Sequence, residues 1–350
     1  MGTIYITQDD AFVGKTDERL TVRANKQTLL DVPLIKVDGV VVLGRTTVSP
    51  AAVMELLERK IPLSFLTSMG RYLGRLEPEL TKNIFVRAAQ WKAIAPSEQA
   101  SHLVQGFVRG KLKNYRNTLL RGQREFSADL KSSPETAPAT QERKLNFQNA
   151  LTQLEQVIAP IAKTNSIDSL RGLEGAGSAA YFGSFNQLIR AEGFQFEARR
   201  RRPPTDPVNA LLSLGYALLR HDIQSAINLV GFDPYLGYLH TQRYGRPSLA
   251  LDLMEEFRPL VVDTVVLSGL NRRAIALSDF TTEPLSSAVS LTPEGLRTFL
   301  RLYEQKKQSK FKHPVLQTQC TYQESFEIQA RLLAKYLMGE TDKYPPLVLK

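Results

Sequence analysis

The residue pattern of this chain changes once, at residues 77–82, and that change constrains the fold more than any other feature. Before it, short runs rich in β-branched and aromatic residues (Thr3–Thr7, Arg19–Ala24, Leu34–Gly44, Ile61–Leu66) are separated by Asp-Gly, Gly and Pro. Such runs read as strands and turns. One short helix interrupts them, with Ser49 as N-cap, Pro50 at the first helical position and the stretch AAVMELLERK behind it. After the change, apolar residues recur at helical spacing almost to the end. The expected fold is α+β with two domains. A small N-terminal β-sheet or sandwich domain covers 1–76, a linker 77–82, a larger all-α catalytic domain 83–340, and a flexible tail 341–350. Residues 131–142, rich in Ser, Thr, Pro and Ala, read as an exposed loop within the helical part.

Charge narrows the partner. The 350 residues hold 45 Lys and Arg against 35 Asp and Glu, a net charge of +10. When clustered, such an excess favours an anionic polymer. Two clusters stand out. On the helix expected over about 98–130, His102, Arg109, Lys113, Arg116 and Arg124 fall within about 80° of arc, a stripe suited to tracking phosphates. Further on, Arg199, Arg200, Arg201 and Arg202 run into Pro203 and Pro204, and Asp206 with Pro207 starts a helix. The arginines are thereby held on an ordered loop, which suits phosphate contact. The single cysteine, Cys320, allows no intrachain disulfide and fits a reducing compartment. No run approaches the ~18 apolar residues of a membrane span, and the N-terminus has no signal-like pattern, so a cytoplasmic location is expected.

The chemistry concentrates in His240–Pro259, HTQRYGRPSLALDLMEEFRP. An Arg-Pro turn leads into a helix whose polar stripe carries Asp252, Glu255 and Glu256. At about 100° per residue, Glu255 lies about 60° to one side of Asp252 and Glu256 about 40° to the other. At least two carboxylates then share a face within reach of one cation, and His240 precedes them by a loop long enough to fold back. Carboxylates with one imidazole suit a hard or borderline divalent metal. Upstream, SLRGLEGAGSAAYFGSF places Glu174 among Gly175, Gly177 and alanines, where small residues permit close backbone approach of a helix or a nucleic-acid strand.

Three stretches together, LRGLEGAGSAAYF, RRRRPPTDPVNALLSLGYALL and HTQRYGRPSLALDLMEEFRPLVVD, resemble the CRISPR-associated endonuclease/integrase family that inserts new spacers. The resemblance spans residues 1 to roughly 335. It implies a β domain followed by an α domain, homodimerisation through the β side, and assembly with a small ferredoxin-like companion protein. It places the metal ligands on Glu174, His240 and Asp252, with Glu255 in the fourth acidic position and Glu256 its neighbour. The implied cofactor is Mg²⁺ or Mn²⁺, with the imidazole favouring Mn²⁺. The implied reaction is transesterification by the 3′-hydroxyl of spacer DNA at a CRISPR repeat, with DNA hydrolysis by the same site. The competing expectations are a structure-specific, metal-dependent DNA-repair nuclease and a non-catalytic nucleic-acid scaffold.

Overall fold

The first strands pair across long sequence separations. In the computed structural model, which describes the chain except residues 1, 69, 71, 77–80, 82, 95–96, 133–136 and 350 and the side chains of 129–132 and 137–139, eight strands precede the helical part. They are β1 (Gly2–Ile6), β2 (Ala11–Thr16), β3 (Arg19–Ala24), β4 (Gln27–Pro33), β5 (Val37–Leu43), β6 (Thr46–Val48), β7 (Leu63–Leu66) and β8 (Tyr72–Leu76), with helix α1 (Pro50–Glu58) after β6. Two four-stranded sheets result, in the orders β1-β5-β7-β8 and β4-β3-β2-β6. Ile6, Val13, Leu20, Val22, Val40 and Val42 from both sheets share one apolar core with Ala52 and Leu56 of α1. Ser49 caps α1 as expected, its hydroxyl accepting the Ala52 N–H at 3.2 Å. Strands β2, β4, β6 and β8 lie outside the runs that the sequence marks. Strand β4 is an edge, exposed over most of its length, and so shows little apolar alternation.

The helical part comprises α2 (Ile84–Lys92), α3 (Glu98–Ser132), α4 (Ala137–Ile158), α5 (Ile167–Gly183), α6 (Pro207–Val230), α7 (Ser248–Leu253), α8 (Thr264–Asn271), α9 (Pro293–Gln308) and α10 (Tyr322–Leu337). Two short ribbons flank α9: β9 (Phe280–Thr282) with β10 (Val289–Leu291), and β11 (Lys310–Lys312) with β12 (Gln319–Thr321). Ser97, Asp206 and Thr292 accept N–H groups of their helices' first turns, as expected of caps. Of the loop expected over 131–142, residues 131–132 and 137–142 are helical instead, and 133–136 lie outside the described residues. Most of the expected linker, 77–80 and 82, also lies outside them.

The two parts meet where edge strand β1 lies on α9. Lys307 is fully buried there, with its ammonium 2.9 Å from the Thr3 hydroxyl, 3.1 Å from Glu304 and 3.3 Å from Asp222. Glu304 also accepts the Thr3 N–H at 2.9 Å. Among the described residues no helix is long and apolar enough to cross a membrane.

Candidate active site

The site begins at the crossing of α3 and α5. Gly177 permits it: a Cβ there would come within 2.4 Å of Leu112. The crossing brings Lys111 of α3 against Glu174 of α5, whose Oε1 also accepts the Ser178 hydroxyl at 2.9 Å. Lys111 is 5% exposed, so its ammonium needs partners in place of water. The second partner is Glu255, whose Oε2 lies 2.6 Å away.

Glu255 is carried by an irregular stretch. The helix expected from residue 248 onward ends at Leu253, passes through a 3₁₀ turn (Met254–Glu256) and a π-helical segment (Arg258–Asp263), and only then resumes as α8. Pro259 accounts for the break, because its ring opposes the carbonyl four residues back, that of Glu255, and it has no N–H to give. The three carboxylates of the expected stripe are all buried, and each has different partners. Glu255 meets Lys111, and its Oε1 lies 3.1 Å from Arg258 and 3.8 Å from His240 Nε2. Glu256 bonds the Tyr344 hydroxyl and the Leu347 N–H.

Asp252 accepts three successive backbone N–H groups, from Tyr238 and Leu239 on Oδ2 and from His240 on Oδ1, at 2.6–2.9 Å. Gly237 opens the space for this wrapping, since a Cβ there would lie 2.8 Å from Asp252 Oδ2. Oδ1 also lies 2.7 Å from His240 Nδ1. A carboxylate only accepts, so Nδ1 carries a proton, and Nε2 is the ring nitrogen that faces Glu255.

A cavity of about 290 Å³ opens over this assembly, lined by Glu174, His240 and Glu255 and by Lys111, Arg199, Arg201 and Arg258. Tyr115, Phe182 and Tyr216 form aromatic wall. Burial raises the Glu255 carboxyl, but Arg258, Lys111 and His240 outweigh it and hold the group at about 2. Burial disfavours the Lys111 ammonium, and Glu255 with Glu174 overcomes that to keep it charged. Deeper in, Asp263 accepts the hydroxyls of Tyr181 (3.0 Å) and Tyr216 (2.6 Å), and burial lifts its carboxyl to about 6.

Of the expected ligands, Glu174, His240 and Glu255 line the cavity and Asp252 does not. Its oxygens accept from the 238–240 backbone and contact the imidazole, so as placed it supports His240. As placed, no three His, Cys, Asp or Glu side chains among the described residues cage a cation. The two cavity carboxylates are drawn onto the Lys111 ammonium instead. The donors themselves, two carboxylates and an imidazole around one cavity, fit Mg²⁺ or Mn²⁺.

The basic residues divide. Arg199 and Arg201 line the cavity, with Arg199 held by Asn209 Oδ1 (2.6 Å) and the Ser213 hydroxyl (3.1 Å). Arg200 pairs with Glu197 at 3.0 Å, and Arg202 is exposed. On α3, none of Arg109, Lys113, Arg116 and Arg124 lines the cavity, and Arg116 is bound to Glu155 at 2.6 Å. The helix supplies the site with Lys111, which the stripe overlooks. Lys111 lies four residues from both Phe107 and Tyr115, two buried aromatics, so its place on the apolar face was a signal of a paired buried charge. Arg258, 4.7 Å over the Tyr216 ring, was likewise passed over.

The family profile described as CRISPR associated protein Cas1 matches residues 4–305. The CRISPR-associated endonuclease Cas1 2 of Rhodospirillum rubrum is 39% identical over 349 residues, covering 99% of this chain and 98% of its own. Among solved structures, a chain of a Cas6-RT-Cas1–Cas2 complex aligns with a TM-score of 0.77 at 25% identity, over 99% of this chain and 36% of that one. This chain thus spans about a third of that larger polypeptide. A casposase bound to integration product shares the fold, with a TM-score of 0.79 at 21% identity, over 100% of this chain and 95% of that one. With a profile match over most of the chain and a relative this similar along its full length, the chain belongs to the CRISPR-associated Cas1 family.

Proposed function

We propose that the cavity is the DNA cutting and joining site of a CRISPR-adaptation endonuclease/integrase. The observation that carries this is the convergence of Glu174, Glu255 and the His240 imidazole on one cavity that Arg199, Arg201 and Arg258 also line. The relative from Rhodospirillum rubrum is named an endonuclease, and the net charge of +10 suits a DNA substrate.

In this reading Glu174, His240 and Glu255 hold Mg²⁺ or Mn²⁺. When bound, the ion supplies charge that polarises the scissile phosphodiester and eases deprotonation of the attacking hydroxyl. The residues of this chain do the rest. Asp252 keeps the proton on His240 Nδ1 and so keeps Nε2 available to a cation. Arg199 and Arg201 bind the phosphate backbone at the cavity mouth. In joining, the 3′-hydroxyl oxygen of the donor strand forms a new bond to phosphorus at the repeat boundary, and the 3′-oxygen of the cut strand leaves. With water as nucleophile the same exchange is hydrolysis.

The partners in this reading are spacer and repeat DNA, a second copy of the chain, and a small ferredoxin-like companion corresponding to the Cas2 named in the solved complex. Dimerisation through the β side is supported by the large apolar residues left exposed there, Phe12, Leu29, Ile35 and Met54. The working compartment is the cytoplasm.

The test is strand transfer with Mn²⁺ on a branched DNA that mimics half-integrated product, for the parent and for His240→Ala. Joining should fall by about 10²-fold or more in the variant. Cleavage without joining in the parent would favour a repair nuclease, and no turnover in either protein a binding scaffold.

A further inference from the structure

Of the last ten residues, expected to be a flexible tail, Tyr344–Leu349 are docked. Tyr344 and Leu347 are buried, at 3% and 0% exposure. The Tyr344 hydroxyl donates to Glu256 Oε1 at 2.6 Å, and the Leu347 N–H donates to Glu256 Oε2 at 2.6 Å. A third donor, Gln329 Nε2 on α10, reaches Oε1 at 3.0 Å. Helix α3 holds the same segment. Asn114 Nδ2 donates to both the Glu256 carbonyl (2.9 Å) and the Leu347 carbonyl (2.8 Å), and Asn114 Oδ1 accepts the Leu349 N–H at 3.1 Å. Gly106 and Gly110 make the groove: a Cβ at either would come within 2.9 Å of Tyr344 or 2.8 Å of Pro346.

These contacts fall on the turn that carries the site. Glu256 follows Glu255 in a 3₁₀ turn of three residues, wedged between α7 and the π-helical segment. A turn that short has few hydrogen bonds of its own, so side-chain anchors fix it. On α3, Lys111 grips Glu255, and Asn114, nearly one helical turn later, grips Glu256 and the tail. Glu256 is fully buried, and two of its three donors come from the tail. Without them a buried carboxylate is left short of partners, and the turn must shift to reach water.

We propose that Tyr344–Leu349 is a positioning element for the active site: it receives Glu256 and thereby fixes the turn that presents Glu255 to the cavity. The proposal rests on the functional reading above only for what Glu255 does. The docking and its effect on the turn are independent of it.

The test compares the parent, a chain ending at Lys343, and the full-length Tyr344→Phe variant, with a synthetic peptide of residues 341–350 added back. Hydrogen exchange of the metal-free proteins is the first readout. Amides of 252–258 should exchange at least about tenfold faster in the shortened chain while those of α6 keep the parent rate, since loss of an anchor opens its own region. The peptide should restore protection in a saturable way, and the peptide carrying Tyr344→Phe should bind about tenfold or more weakly, because a buried acceptor loses a donor. In strand joining, kcat should fall with KM for DNA within about twofold of the parent. Unchanged exchange at 252–258, or faster exchange everywhere, overturns the proposal. Where the shortened chain does not fold, Tyr344→Phe in the full chain must show the same local increase or the proposal fails. Exchange needs neither metal nor DNA, so a parent without turnover would count against the functional reading alone.

Discussion

A lysine on the apolar face of a helix needs an anionic partner, and Lys111 has two. Its position was readable from the spacing around Phe107 and Tyr115, but its partners were not, because Glu174 and Glu255 come from segments 63 and 144 residues further along. Removing the ammonium leaves two carboxylates facing each other, one of them buried. Lys111→Ala should therefore lower stability by about 3–5 kcal/mol in the absence of divalent metal, read from urea unfolding. Mn²⁺ should raise the melting temperature of that variant more than the parent's, because a ligand bound only by the folded state stabilises it by mass action and the ion no longer competes with an ammonium. Equal shifts in the two proteins would remove Lys111 from the ion's position. Asp252 makes a similar point. The sequence offers a carboxylate near a histidine, and only the folded loop turns both its oxygens onto that histidine and the two residues before it.

Among the elements, the stretch 248–271 departs most from its pattern. Its apolar spacing reads as one helix, and Pro259, visible in the sequence, divides it into α7, a 3₁₀ turn, a π-helical segment and α8. The π-helical segment buries Asp263 beneath Tyr181 and Tyr216. Burial raises its carboxyl from 3.8 to about 6. Between those values the folded chain keeps a proton that the unfolded chain has lost, so this group's contribution to stability falls as pH rises through that window. Asp263→Asn has no proton to lose. The stability of the variant relative to the parent should thus improve by about 1–3 kcal/mol from pH ~4 to pH ~6.5, measured by urea unfolding at both ends. No change in the difference would mean that Asp263 titrates alike in both states. The helix caps lie at the other extreme. Ser49 and Asp206 act on N–H groups three residues away, and they stand where the sequence puts them.

At the scale of the whole molecule, the proposed DNA substrate has two basic surfaces to lie on: the cavity mouth with Arg199 and Arg201, and the face of α3 that carries Arg109 and Lys113. If a strand crosses both, Arg109→Ala with Lys113→Ala should flatten the slope of log affinity against log salt by about 1–2 with little effect on the chemical step. An unchanged slope would take α3 off the DNA path. The sequence by itself determined the order of a β-rich region and a helical one, the capped helix starts, and three of the side chains around the cavity, Glu174, His240 and Glu255. The order of elements and the caps follow from local spacing, which neighbours along the chain largely set, while Glu174 and Glu255 follow from the family resemblance. Only the tertiary structure decided where each buried carboxylate points, that Lys111 and Arg258 line the cavity, and that Tyr344–Leu349 are docked against α3 rather than free. Those outcomes depend on desolvation: a buried charge takes whichever partner the fold brings to it, and here the partners lie tens to hundreds of residues apart.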